Sequence, residues 1–152
     1  MIHFVIIGLP PSSNHAWFNL PRGGRAPTKE LKKFKNETKT YLAQMYMEEL
    51  RKFKPNAPYL VLMRFRFESL QNATWGKPKG AESRYKKLDV GNRAKLLEDV
   101  IKDVAGVDDS NTFTLILDKC VYASETEVEH TEVFIWNLDT EESPFDAALH
   151  SL

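Results

Sequence analysis

The sequence predicts an α+β fold: a mixed β-sheet of about four strands with two main helices, in the order β-α-β-loop-α-β-β. Three observations carry that expectation. Residues 28–52 and 89–105 each repeat apolar side chains at helical spacing. Four shorter stretches, at 2–8, 59–69, 112–123 and 128–138, are rich in β-branched and aromatic residues. The last two of these follow one another with no helix between, which argues α+β rather than a strictly alternating α/β chain.

The first strand, IHFVIIG, ends at Gly8 and the Pro10-Pro11 pair. An irregular segment follows, PPSSNHAWFNLPRGGRAPT, in which Trp17 and Phe18 either tuck into the core or offer stacking surfaces. Asn14, Arg22 and Arg25 are suited to phosphates and bases. Thr28 can cap a helix running to about Lys52, with Leu31, Phe34, Thr38, Tyr41, Met45 and Glu48 along its buried side. Lys32, Lys35 and Lys39 form a basic stripe on another side, read either as a solvated face or as part of a polyanion surface.

After Pro55 and Pro58, Val61, Met63, Phe65 and Phe67 alternate with Leu62, Arg64, Arg66 and Glu68 in a second strand with one apolar face. Residues 70–87 then show no periodicity but hold Trp75, Tyr85, Arg84, Lys77, Lys79, Lys86 and Lys87. A loop this long is functional or disordered, and basic side chains interleaved with aromatics suit contact with DNA.

The second helix opens at Asp89 as N-cap and stops at Gly106, with Val90, Leu97, Val100, Ile101 and Val104 on its apolar face. Asp89, Asn92, Lys95 and Asp99 share another face at spacings of three and four. Asp108 and Asp109 follow directly. The third and fourth strands are expected to form a hairpin through SETE. Residues 1–138 read as one domain, and 139–152 as an acidic tail expected to fray.

With 152 residues, 42% hydrophobic and 28% charged, the composition is that of an ordinary globular chain. No apolar run reaches the roughly 20 residues of a membrane span, and the N-terminus lacks the basic region of a signal peptide. The single Cys120 excludes an internal disulfide framework and fits a reducing cytoplasm. A net charge of zero conceals a division: residues 1–87 hold 17 Lys/Arg against 6 Asp/Glu, and residues 88–152 hold 4 against 15. The basic part suits a polyanion, and the acidic part would repel it unless a cation intervenes. A polarised, solvated surface explains the same numbers.

No P-loop or G-x-S-x-G elbow is present, and the four histidines with one cysteine give no zinc spacing. The chemistry that remains is oxygen-rich: Asp89, Asp99, Asp108 and Asp109, with Glu98 beside them. Such ligands favour Mg²⁺ or Mn²⁺, and Lys95 could neutralise charge on a phosphate. Each acid also has a structural explanation. Asp89 caps, Asp99 pairs with Lys95, and Asp108-Asp109 form a turn.

These residues resemble the RusA family of Holliday junction resolvases. The family's motif is Asp-x-Asp-Asn, a Lys three residues after the Asn, an Asp four further on, and an Asp-Asp pair ahead of a strand; Asp89, Asn92, Lys95, Asp99, Asp108 and Asp109 match it. The segment LPPSSN and the Arg22-Gly23-Gly24-Arg25 turn also resemble the family, across most of residues 4–136. The resemblance implies a homodimeric endonuclease of phage or prophage origin, using Mg²⁺ or Mn²⁺ on branched DNA in the cytoplasm. It implies Asp89 and Asp109 as metal ligands and Lys95 as a catalytic lysine, with Asp99, Glu98 and Asp108 as carboxylates in reserve. DNA contacts would come from Asn14, Arg22, Arg25, Lys77, Lys79, Lys86, Lys87 and Asn92. One departure stands out: Gly91 occupies the place of the motif's second Asp. A protein that holds junctions without cutting them is therefore the second expectation.

Overall fold

The computed structural model describes residues 1–124 and 126–146, apart from the side chains of Ser13 and Asn14. Its elements are β1 (Ile2–Ile7), α1 (Ser13–Ala16), β2 (Trp17–Asn19), β3 (Arg25–Pro27), α2 (Lys29–Met45), α3 (Met47–Leu50), β4 (Tyr59–Phe67), α4 (Val90–Ala105), a 3₁₀ turn (Asp109–Asn111), β5 (Thr112–Val121) and β6 (His130–Asn137). A four-stranded sheet in the order β1-β6-β4-β5 carries α2 and α4 on one face, and β2 pairs with β3 in a separate ribbon. The α+β class and the mixed sheet are as the sequence predicts.

The hairpin expected between the last two strands does not form. β5 runs parallel to β4, while β6 lies antiparallel to β4 on its other side and antiparallel to β1. The physical reason is α4: a strand–helix–strand crossover returns the chain parallel to where it started, so β5 takes one flank of β4. β6 then reverses past it to fill the gap beside β1. This makes β4 central, which explains why Leu60 and Leu62 are buried along with Val61, Met63, Phe65 and Phe67.

Register assigns the two faces. Ile2, Phe4 and Ile6 of β1, Val133 and Ile135 of β6, and the odd residues of β4 meet Ala94, Leu97, Val100 and Ile101 of α4 in one apolar core. The opposite face carries Arg64 paired with Asp118 and Arg66 paired with Glu132, each at 2.8 Å. Leu97 is fully buried at the centre of the α4 contact. Leu97→Ala is expected to cost about 3–5 kcal/mol and to lower the melting temperature by on the order of 10 °C. A loss under about 1 kcal/mol in denaturant titration would mean that α4 does not anchor the core.

The long first helix departs from the expected single run to Lys52. It breaks at Tyr46, whose φ of −130° leaves the helical region, and the short α3 follows. Leu31, Thr38 and Leu42 are buried as a result, while Met45 and Glu48, expected on the inner side, face solvent. The break lets Tyr46 Oη and Glu49 Oε2 accept the outward N–H groups of Val5 and His3, at 3.3 and 3.4 Å. The β1 edge of the sheet is thereby covered.

Lys35 and Lys39 of the basic stripe bridge to Asp99 and Asp103 of α4 instead of standing free. The tail expected to fray turns back over 139–146: Glu141 pairs with the N-terminal ammonium and Phe145 sets its ring edge-on to Trp136. Residues 147–152 lie outside the described part.

Candidate active site

α4 is built as its caps predict. Asp89 accepts a bond from the Asn92 backbone N–H at 3.1 Å, and Gly106, at φ 69°, ends the helix in the left-handed conformation that favours glycine. The Asn92 side-chain amide also donates to Asp89. These N–H groups, the backbone one foremost, hold the Asp89 carboxyl below its ordinary pKa. Asp89 is therefore an ionised, exposed carboxylate with a fixed orientation.

Its direction relative to the sheet follows from Arg93, one turn into α4, which donates to the Pro10 carbonyl just beyond β1. β1, β4 and β5 all run the same way, so the N-terminus of α4 stands at their C-terminal end. The β2–β3 ribbon and the 68–88 excursion leave the sheet at that same end. Arg93 itself is half-buried, and burial lowers its pKa despite the charges of Glu129, Asp89 and Glu30.

The ribbon carries Arg22 and Arg25 around a turn in which Gly23 and Gly24 take φ near +89° and +86°. Phe18 is half exposed and Trp17 about a third, so neither aromatic tucks into the core. Asn14 lies in α1, with its side chain outside the described part.

The 70–87 segment, expected as a mobile or disordered loop, folds as an irregular antiparallel excursion. Gln71 bridges Tyr85, the Asn72 N–H donates to the Arg84 carbonyl, and the Asn72 side chain bonds Ser83 at 2.7 Å. Lys77, Lys79 and Lys87 are exposed and Lys86 partly so, with Arg84 stacked over Tyr85 at 5.2 Å.

The other acids sit at the far end of α4. Asp108 caps the 3₁₀ turn by accepting from Ser110 N–H, and it pairs with Lys102 at 2.5 Å; that ammonium holds its carboxyl far below the usual range. Asp109 is exposed beside it. Glu98, Asp109 and Thr112 line the mouth of a narrow cavity of about 30 Å³ above Tyr59, Val61 and Met63. Burial raises the Glu98 pKa, and the charges of Asp109 and Asp99 raise it further, against Thr112 and Lys95.

Glu98 is the residue that motif spacing undervalues. The signal was present, because Glu98 shares the apolar stripe of Ala94 and Ile101 at i−4 and i+3. An acid on the core face of a helix calls for a partner. Asp99, by contrast, is tied to Lys35 at 3.3 Å rather than to Lys95, while Lys95 is exposed on the face it shares with Asn92.

The motif's acids thus divide into two groups. Asp89 and Asn92 stand at one end of α4, Asp108 and Asp109 follow the other, and Glu98, outside the motif, lies near its middle. A helix of 16 residues is about 24 Å long, so Asp89 and Asp109 of one chain do not meet. Among the described residues no three acids, histidines or cysteines converge on a common point. No described helix is long and apolar enough to cross a membrane.

Comparison with known proteins supplies the last observation. The family model described as Endodeoxyribonuclease RusA matches residues 8–133, from the end of β1 into β6 and across both helix ends. No curated protein matches the chain.

Proposed function

The chain belongs to the RusA endodeoxyribonuclease family, hydrolases of DNA phosphodiester bonds, and from that premise we propose that it nicks branched DNA such as four-way junctions with the help of a divalent cation. The observation that supports this most is the end of the sheet where the ionised Asp89 stands among basic segments. Arg22 and Arg25 are carried on the ribbon and Lys77, Lys79, Lys86 and Lys87 on the excursion, and both segments leave the sheet at that end. Anionic DNA would be held there by lysine and arginine, and the carboxylate would need a cation to face it.

The donors fit Mg²⁺ or Mn²⁺ in chemistry, being carboxylate and amide oxygens only. Among the described residues one chain does not bring them to a common point, so two copies would have to contribute. Asp89 and Asn92 of one chain, with Asp109 of a second, make a set that α4 is too long to assemble by itself. A cation held by them would supply Lewis acidity toward water and the scissile phosphate.

Other roles fall to the chain's own residues. Asn92 fixes the Asp89 carboxylate, and Lys95, exposed on the same face of α4, neutralises charge developing on phosphate oxygen. Glu98 and Asp108 line the same cavity as Asp109, and Asp99 stays with Lys35. A homodimer follows from this reading, and it would present two such sites to two strands.

A second reading, holding without cutting, is favoured by Gly91 alone. One assay separates the two: labelled four-way junction and matched duplex, incubated in EDTA, Mg²⁺ or Mn²⁺ and read for both shift and nicks. Nicks confined to the junction and to added metal support the first reading. A shift with no nicks in either metal supports the second.

The basic excursion gives a further expected result. Neutralising Lys77, Lys79, Lys86 and Lys87 to glutamine should weaken junction binding and reduce the slope of log affinity against log salt by up to about 3, since fewer counterions are released. An unchanged slope in fluorescence anisotropy would assign the phosphate contacts to other segments.

A further inference from the structure

The β2–β3 ribbon has little of its own to hold it in place. It shares no ladder with the main sheet, Trp17, Phe18 and Asn19 are all exposed, and a two-stranded ribbon alone is marginal in water. The direction in which it carries Arg22 and Arg25 is therefore set at its base. There Ala16, Leu31 of α2 and Leu96 of α4 make a small core of their own, apart from the main one. Thr28 adds two bonds across the base, from its N–H to the Ala16 carbonyl at 2.9 Å and from its hydroxyl to the His15 carbonyl at 2.8 Å.

Ahead of that base the chain passes Pro10 and Pro11, both buried. Neither has an N–H, so the stretch cannot tie itself down with its own donors, and a buried carbonyl needs a donor from elsewhere. Arg93 supplies it. It stands three residues before Leu96 on the same side of α4, and its Nη1 donates to the Pro10 carbonyl. α4 thus meets the base of the ribbon at two successive turns, once through a polar contact and once through an apolar one.

Packing alone would not select arginine at 93. Its Nε is buried and has no partner among the described residues, and burial pushes the guanidinium pKa down. Both features cost stability. The charge nevertheless stands among acids from three elements: Glu129 just ahead of β6, Asp89 at the cap of α4, and Glu30 in the first turn of α2. A methionine could fill the space, but it would leave that junction without a cation and the Pro10 carbonyl without a donor.

We propose that Arg93 is a positioning residue for DNA cleavage: by holding Pro10 to the first turns of α4, it fixes Arg22 and Arg25 of the ribbon relative to the Asp89 carboxylate. Asp89 lies one turn before Arg93, so little chain separates the clamp from the carboxylate. DNA gripped by the ribbon then presents one phosphate to that carboxylate rather than a choice of several. The role in cleavage rests on the nuclease reading given above, whereas the clamp at the ribbon's base stands without it.

The test is single-turnover nicking of a labelled four-way junction in Mn²⁺, with each nick located to the nucleotide. Arg93→Met is expected to nick about a hundredfold more slowly, the cost of a displacement of about an ångström, and to spread its nicks onto neighbouring phosphates. Junction affinity should stay within about threefold of the parent, because no phosphate contact is lost. Hydrogen exchange without DNA reads the clamp directly. The Leu20 and Thr28 amides, bonded to Gly24 and Ala16, should exchange on the order of tenfold faster in the variant, while those in the core turns of α4 stay near the parent. Arg93→Lys keeps the charge and a donor but not the planar fork, and should recover part of the rate and of the nick position. If Arg93→Met fails to fold, Arg93→Lys decides on the same readouts, since it should fall about tenfold short of the parent. Parental rate and nick position, affinity that falls as far as the rate, or slow nicking over a ribbon that has not loosened would each overturn the proposal. A parent that cuts in neither Mg²⁺ nor Mn²⁺ removes the nuclease reading instead, and exchange alone then decides whether Arg93 holds the ribbon.

Discussion

Co-expressed Asp89→Asn and Asp109→Asn chains are expected to regain junction nicking that neither variant has alone. The reason is the length of α4, which keeps the two acids of one chain apart. If each working site takes Asp89 from one copy and Asp109 from the other, a mixed dimer holds one site with both acids and one with neither. Random assembly makes half of all dimers mixed, so about a quarter of the parental sites return. Those sites stand alone in their dimers, so the product should be single nicks rather than paired cuts. Each variant by itself should still shift junction DNA, and Asp109→Asn as well as the parent or better, because a charge that repels phosphate is removed. Nicking that stays absent in the mixture while both variants are folded and dimeric would assign the acids to separate jobs. Full activity in Asp109→Asn alone would take Asp109 out of the site.

Much of this arrangement was legible in the sequence, and the boundary of what was legible has a physical cause. Local rules governed the caps of α4: an aspartate that bonds the N–H three residues on, and a glycine free to take positive φ. Alternation along β4 likewise assigned its apolar face. What local rules could not supply was the partner of each strand. TFTLILDKCV and VEHTEVFIWN look like the arms of a hairpin because they are neighbours in sequence, yet β4 separates them. That choice is made by the α4 crossover, a contact of long range.

The same limit applied to charges. Spacing along one helix pairs Asp99 with Lys95, whereas packing between helices pairs it with Lys35. It applied most to the site itself. Motif spacing puts Asp89 and Asp109 into one pattern, and only the rigid helix between them reveals that the pattern is not a place within one chain. Glu98 shows the reverse case, a residue whose significance lies in its burial beside Asp109 rather than in any spacing.

Gly91→Asp is expected to raise Mg²⁺-supported nicking and, independently, to make thermal stability respond to Mg²⁺. A Cβ built at residue 91 would meet only Asp89 Oδ1, at 3.5 Å, an ordinary contact, and the residue sits in the open first turn of α4. Nothing in the chain requires glycine there. Replacing it by Asp or Asn should itself stabilise the helix by only about 0.3 kcal/mol, since both rank just above glycine as helix formers, with a further small gain for Asp from a negative charge near the helix N-terminus. Against this, the new carboxylate would stand beside an Asp89 that is already ionised, and the two repel. A divalent cation relieves that repulsion, and its binding adds RT ln(1 + [L]/Kd) to stability. The melting temperature of Gly91→Asp should therefore climb with Mg²⁺ over a range where the parent barely responds. The parent, with fewer carboxylates, should work better in Mn²⁺, since Mg²⁺ is the more demanding of its ligand geometry. Gly91→Asn is the control, because it brings the same helix gain and a similar shape without the charge. If Gly91→Asp and Gly91→Asn melt and nick alike across a Mg²⁺ titration, residue 91 does not face the cation, and the Asp89 end of α4 is a cap and nothing more.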